Sequence, residues 1–322
     1  MSSEITVVVG TRNRSELLGR ALGSIAEQEG VSFDCVVVDD GSEAEEADRT
    51  RRLVESMGER FRLVNTTVAG GKGTGPAAVK NRGIVEVRTP YLTFLDDDDW
   101  FVVRDHFRVA VEALAAYHAD YLVTNRQGVR DGRIVIDDWY LGTSQLRHGR
   151  LVDPTRRLYE VSHRQLAETM RHVNPHPGNL VLSHDLVKRC GGFLAPLNWT
   201  EDFNFCLRTA DGASRLLYRD VVTTHARMPT GDSVSLSKDG LTHQLQELVT
   251  SAHLRTTARR AEIKRCARAR HAWTLRVMAA ESAGQGDSRE AWRLSLEALM
   301  TFPTLGGIGH LARALGQRIR GQ

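Results

Sequence analysis

Residues 94–100 read FLDDDDW. Adjacent carboxylates repel one another and raise one another's pKa unless a cation neutralises them. A hard divalent ion suits such a cluster. Mg²⁺ or Mn²⁺ takes oxygen ligands, and Mg²⁺ commonly uses only one or two protein carboxylates, leaving positions for substrate phosphates. If the preceding strand persists through Leu95, alternation turns Asp96 and Asp98 one way and Asp97 and Asp99 the other. One pair then converges on a ligand while the other caps backbone or meets loops. The competing reading is a solvated acidic turn capping a helix begun by Trp100 and Phe101. The apolar strand before the cluster and the tryptophan after it speak against a freely solvated tip.

Other polar clusters carry weaker signals. VVDDGS offers Asp39 and Asp40, and a carboxylate fixed there accepts from a nucleobase N–H or a ribose hydroxyl; the plainer reading is that Asp40 or Ser42 caps the next helix. GTRNR places Thr11, Arg12 and Asn13 together, and a guanidinium can stack on a base or pair with phosphate, whereas Asn13 or Ser15 can equally cap a helix. AGGKGTGPAAVKNRG allows close backbone approach to an anion, with charge from Lys72 or Lys80; it lacks the GxxxxGK[ST] spacing, and a mobile turn is its rival. In NWTED, Glu201 and Asp202 occupy a first helical turn, where acids favour the helix dipole by about 0.3–1 kcal/mol or, fixed on a rigid helix end, serve as a general base. His225 follows a β-branched run and is a metal-ligand candidate. His163, His172, His176 and His184 lack the spacing of a zinc motif.

The elements that must position these groups read as strand, helix, strand. Ile5–Val9 is a β-branched run bounded by Gly10, and Leu17, Leu18, Ala21, Leu22 and Ile25 follow at helical spacing. Phe33–Val38 is a second buried strand, and Ser42 with Glu45 has capping-box spacing for a helix to about Glu59. Phe61–Val64 and Tyr91–Leu95 are further strands, GVRDGRIVIDDW is a hairpin, and Phe203, Cys206, Leu207 and Ala210 mark a helix that Gly212 ends. Alternating strands and helices predict a parallel sheet whose ligands lie beyond the carboxyl ends of the strands. GTRNR, VVDDGS and FLDDDDW all fall at such ends.

The chain of 322 residues suffices for one large α/β domain plus an appendage, and 43 basic against 40 acidic side chains give no argument for nucleic acid. Four dispersed cysteines without a CxxC pair predict free thiols in a reducing compartment. No signal peptide or spanning segment is expected. Residues 241–322 carry 13 Lys and Arg against 6 Asp and Glu and read as a basic helical region.

In order and spacing, ITVVVGTRNR, VVVDDGS, GPAAVKNRGI, PYLTFLDDDDW, NLVLSHDLVKRCGGF and WTEDFNFCLR resemble the family 2 glycosyltransferases over residues 4–230. The resemblance implies the GT-A fold, a Rossmann-like, mostly parallel sheet flanked by helices, over residues 1–235, with a helical region over 236–322. It implies a nucleotide-diphosphate sugar donor, Mg²⁺ or Mn²⁺, and inversion in one displacement. Asp98 and Asp96, with His225, would hold the metal, and Asp96 and Asp97 would face the donor. Thr11, Arg12, Asn13 and Asp40 would line the nucleotide pocket, Lys72, Asn81 and Arg82 would lie beside the donor, and Asp202 with Glu201 would activate the acceptor. Met228–Asp239 is the expected lid.

A UDP-sugar is favoured by family frequency alone. The expected acceptor is a carbohydrate, a lipid-linked glycan or a natural product. The expected location is the cytoplasm, with peripheral membrane contact or homodimer contacts through the basic region left open. A sugar-1-phosphate nucleotidyltransferase and a non-catalytic nucleotide- or glycan-binding module are the alternatives.

Overall fold

A computed structural model of the chain describes residues 3–140, 145–228 and 240–320. Two compact units divide it, Met1–Leu236 and Ser237–Gln322. The first opens with β1 (Ile5–Thr11), α1 (Ser15–Ala26), β2 (Phe33–Asp39), α2 (Ala44–Ser56), β3 (Phe61–Asn65), α3 (Pro76–Glu86) and β4 (Tyr91–Asp96). It continues through β5 (Trp100–Phe101), α4 (His106–Ala116), β6 (Tyr121–Arg130), β7 (Arg133–Ile136), β8 (Arg150–Asp153), β9 (Leu158–Val161) and α5 (His163–Met170). It ends with β10 (Leu180–Ser183), α6 (His184–Cys190), α7 (Glu201–Gly212) and β11 (Leu216–Arg227). The second unit is helical: α8 (Gly240–Thr257), α9 (Ala261–Gly284), α10 (Ser288–Thr301) and α11 (Leu305–Arg320).

One sheet runs β3-β2-β1-β4-β10-β6-β11-β9-β8. The first four strands are parallel, β10 is antiparallel to both β4 and β6, and β6 and β11 are again parallel. The chain leaves β1 towards β2 and β3 and then crosses back to β4 on the other side of β1. That reversal opens a crevice at the carboxyl end of β1, the place where ligands sit in sheets of this kind. Register brings Thr11 beside Asp39 and Gly10 beside Asp96 there.

Both faces of β1 are covered, which explains its unbroken apolar run. Ile5, Val7 and Val9 join the main core with Leu18, Ala21, Leu22 and Ile25 of α1. The opposite face takes α3 at unusually close range. A Cβ at Gly83 would stand 2.2 Å from Val8 Cγ1, and one at Gly10 would stand 2.6 Å from Val79 Cγ1. Beneath α7, Phe193 stacks on Phe205 with centroids 3.9 Å apart, and Phe94 meets both edge-on.

Two local expectations are corrected, and the competing reading of a helix begun at Trp100 is not what forms. The Ser42–Glu45 capping box does not form: the Ser42 hydroxyl donates to Asp39 Oδ1 at 2.6 Å, and the Glu43 N–H at the start of α2 donates to Asn13 Oδ1 at 2.7 Å. The helix it was to begin ends at Ser56 rather than near Glu59. Trp100 and Phe101 begin no helix but pair with His225 and Thr224 of β11. The hairpin over GVRDGRIVIDDW is present as β6 and β7. Of the expected lid, residues 229–239 lie outside the described residues.

Gly83→Ala should lower stability by roughly 1–3 kcal/mol, because the added methyl meets Val8 in a packed core. Gly23→Ala on α1, where a Cβ meets nothing within 4 Å, should instead gain roughly 0.5–1 kcal/mol. Thermal melts of the two variants check the pair; equal behaviour would refute the close-approach account.

Candidate active site

The four aspartates sit on a turn between β4 and β5. The Asp99 N–H donates to Asp96 O at 3.1 Å, and β5 then pins the far side of the turn to β11. Asp97 and Asp99 point into protein and are 7% and 4% exposed at the side chain. Asp97 accepts from Thr11 Oγ1 at 2.8 Å, and Asp99 accepts from Arg126 Nη2 at 2.9 Å and the Arg227 N–H at 3.0 Å. Asp96 and Asp98 keep 40% and 24% of their side-chain surface. Asp98 has Arg14 Nη1 at 3.3 Å. Burial and the three neighbouring aspartates push the Asp98 carboxyl up to about 7, against the pull of Arg14. Burial likewise lifts Asp97 to about 6.

Facing them is the start of α7. Lys80, on the inner side of α3 and almost wholly buried, places Nζ 2.8 Å from Asp202 Oδ1 and 3.3 Å from Glu201 Oε1. Burial by itself lowers a lysine pKa; Asp202, Glu201 and Asp96 reverse this and hold Lys80 above its ordinary value. Burial and the neighbouring Asp202 raise Glu201 to about 7 in spite of Lys80, and Glu201 Oε2 has no partner among the described residues. His176 joins the two groups of acids: its Nε2 lies 3.0 Å from Asp96 Oδ2 and 3.6 Å from Asp202 Oδ2. Burial and Arg126 would lower the His176 pKa, but Asp96 and Asp202 outweigh them and raise it.

Carboxylate oxygens of Asp96 and Asp99 and a ring nitrogen of His176 lie within 4.8 Å of one another. The histidine is nevertheless set up as a donor. The Gly178 N–H donates to His176 Nδ1 at 3.1 Å, which assigns the proton to Nε2 and aims it at Asp96. Asp99 is also filled by Arg126 and the Arg227 amide. The carboxylates with room for a cation are therefore Asp96 and Asp98. Six acids, Asp96 to Asp99 with Glu201 and Asp202, face Arg14, Lys80, Arg126 and His176, and that excess of negative charge with hard oxygen donors fits Mg²⁺ or Mn²⁺.

On the β2 side, Asp40 is held by the glycine-rich loop. Thr74 N–H lies 2.9 Å from both carboxylate oxygens, the Gly75 N–H 3.1 Å from one, and the hydroxyls of Thr66 and Thr74 donate to the other. Burial alone would raise the Asp40 pKa, but these bonds lower it below the usual carboxylate value. The loop's amides thus hold an anion, and that anion is Asp40 itself. Arg12 lies across the same loop with Nη2 3.2 Å from Gly71 O.

Several residues expected at the donor meet other partners. Asn81 exchanges two hydrogen bonds with the Phe193 backbone, Arg82 pairs with Glu86 one turn along α3, and Lys72 is exposed on its loop. Asn13, at φ 54°, ties the β1 loop to α2. His225 Nε2 meets Gln127 Oε1 at 3.0 Å and its ring stands edge-on to Trp100, apart from the acidic group. Lys80 was named from sequence as a charge beside an anion and instead meets acids; His176 and Arg126 are the site residues not selected from sequence. Lys80 had a signal in its place after GPAAV, whereas nothing in the spacing of His176 or Arg126 marks them.

Residues 6–154 match the family model described as Glycosyl transferase family 2. The matched segment, just under half of the chain, is a glycosyl transferase family 2 domain. The succinoglycan biosynthesis protein ExoO of Rhizobium meliloti is 36% identical over 132 residues, 40% of this chain and 35% of that protein, so the chain covers about a third of this relative's length. Among solved structures, S. aureus TarS 1–349 in complex with UDP-GlcNAc superposes with TM-score 0.69 at 18% identity, covering 99% of this chain and 89% of that one. The mannosyltransferase PcManGT of Pyrobaculum calidifontis in complex with GDP-Man and Mn²⁺ gives TM-score 0.52 at 17% identity, covering 100% and 87%. The fold is the GT-A fold, with helices following the α/β unit.

In metal-free protein, Asp98→Asn should change little at about pH 3, where both folded and unfolded chains carry the proton. Between pH 4 and 7 the native wild type binds a proton that the unfolded chain has released, so wild-type stability falls as pH rises, and the variant should lead by on the order of 2 kcal/mol at pH 7.5. Melting temperatures of both proteins across this range check the sign; a constant difference would contradict it.

Proposed function

We propose that this protein is an inverting glycosyltransferase that moves a sugar from a nucleotide-diphosphate donor to an acceptor hydroxyl or amine, with Asp202 as general base. The observation that carries the reading is the convergence of Asp96 and Asp202 on one imidazole, which sets an open carboxylate at the strand end against a carboxylate on a rigid helix terminus. One acid suits the donor side and the other suits proton removal.

Asp96 and Asp98 would hold Mg²⁺ or Mn²⁺, and the ion, when bound, would offset charge developing on the diphosphate leaving group. Arg126 adds to this: it is buried, and its Nε and Nη1 have no partner among the described residues, so it has donors left for phosphate oxygens. Lys80 Nζ, 2.8 Å from Asp202 Oδ1, holds that carboxylate in place, and Asp202 would accept the acceptor's proton as its oxygen or nitrogen attacks the anomeric carbon. His176 donates to Asp96 and keeps it oriented. Arg12 and Thr11 stand at the nucleotide end of the crevice, and Asp40 positions the glycine-rich loop that borders it. The donors in the two neighbouring structures, UDP-GlcNAc and GDP-Man with Mn²⁺, support a nucleotide sugar and a divalent ion without choosing the base. A glycan or lipid-linked acceptor is the matching proposal, since one relative is named for succinoglycan biosynthesis and another for glucosyl transfer to a glycan on undecaprenol diphosphate, and the cytoplasm is the proposed location.

Asp202→Asn should retain donor binding and lose turnover by about 10²–10⁴-fold, the usual reach of general-base catalysis. Titration with nucleotide diphosphates in Mn²⁺, read by thermal shift, together with donor turnover, separates the two effects. Unreduced turnover would refute the base assignment. Chelation should abolish turnover and added Mn²⁺ should restore it; a chelator-resistant enzyme would refute the metal.

A further inference from the structure

The two units differ in charge. Residues 241–322 hold 13 Lys and Arg against 6 Asp and Glu, whereas residues 1–240 hold 30 against 34. Within the second unit, α9 and α10 pack through Ala272, Leu275, Ala279, Leu294 and Ala298. The last helix, α11, uses one side for packing: Gly307 and Ala314 are buried and Leu311 is half-buried, at i, i+4 and i+7.

A second side of α11 is apolar and open to water. Leu305, Ile308, Ala312, Leu315 and Ile319 follow one another at spacings of three and four, so they share a face. All five are exposed, Leu305 by 89% and Ile319 by 65%. Met300, 76% exposed at the end of α10, lines a hollow of about 460 Å³ with Leu296, Arg255, Arg268, Arg293 and one acid, Glu297, which pairs with Arg293. Arg255 and Arg268 have no acidic partner among the described residues. A continuous apolar stripe along a helix of about 24 Å is a surface that soluble chains ordinarily cover.

We infer that α11 lies in the interface of an anionic membrane, with the Leu305–Ile319 stripe among the acyl chains and the unit's basic residues on lipid phosphates. Charge complementarity selects this occupant. An amphipathic helix with cations beside its apolar face binds such surfaces through buried apolar area and electrostatic attraction together. A second copy of the chain is a poorer fit. Two units with this excess of basic residues repel, and a stripe one helix wide offers less than the roughly 1,200–2,000 Å² of a specific interface. Crossing the bilayer is also a poor fit, because no described helix is long and apolar enough to span it.

The full chain, cosedimented with vesicles, tests this. It should pellet with phosphatidylcholine vesicles containing about one-third phosphatidylglycerol, stay in solution with phosphatidylcholine alone, and be released as salt rises from about 0.05 to about 0.5 M. Ile308→Glu with Leu315→Glu should weaken pelleting at least about tenfold at an unchanged melting temperature, since both side chains are exposed. Ile308→Leu with Leu315→Ile should keep it. Failure to pellet with anionic vesicles, equal pelleting with neutral ones, or a Glu variant that pellets like the wild type would overturn the inference. So would a dimer, seen by light scattering without vesicles, that the Glu substitutions dissolve.

Discussion

The site depends on a buried ammonium group. Lys80 is 8% exposed, and taking a charge out of water costs several kcal/mol unless partners offset it. Asp202 and Glu201 supply the partners, and Asp96 adds its field. The same contact joins α3 to α7, elements more than a hundred residues apart in the chain. It is available only because α3 lies so close to the sheet. Gly83 over Val8 and Gly10 under Val79 remove the side chains that would hold the helix away. A backbone requirement on one face of β1 thus determines whether a lysine reaches two acids at the cleft.

Around that cation the carboxylates divide by how fully each is satisfied. Asp97, Asp99 and Asp40 are filled by Thr11, by Arg126 and Arg227, and by the Thr66–Gly75 loop, and these bonds fix the walls of the crevice. Asp96, Asp98 and Asp202 keep open surface or partial compensation, the condition in which a carboxylate can take a cation or a proton. Polar groups that are filled serve architecture, and those left with unspent capacity serve chemistry. His176 belongs to both classes: one ring nitrogen is occupied by the Gly178 amide, and the other carries a proton between Asp96 and Asp202.

The second unit follows a different logic. Its core is small and rich in alanine, and its last helix leaves apolar surface unburied beside an excess of basic residues. Neither property serves the chemistry of the first unit. Both serve attachment to a surface that is itself apolar inside and anionic outside.

Much of this was legible in the residues alone. The β-branched runs at Ile5–Val9 and Phe33–Val38, the apolar spacing of α1 and the Gly212 stop of α7 report local geometry, and local geometry repeats along the chain at 2 or 3.6 residues. The alternation of Asp96 to Asp99 was readable for the same reason: their burial alternates even though the chain turns at Asp97–Asp98. Order and spacing of the motifs also carried the resemblance that the match over residues 6–154 bears out. Tertiary structure alone decided which groups meet. Ser42 turned back to Asp39 and accepted the Asn13 N–H instead of capping α2, while Asn13 Oδ1 took the Glu43 amide. Asn81 went to Phe193 and its neighbour Lys80 to the acids, since adjacent helical residues point about 100° apart and only packing chooses which faces the cleft. His176 and Arg126 had no sequence signal, because each acts through a partner from a distant strand or turn. Spacing along one chain cannot encode a distance between two.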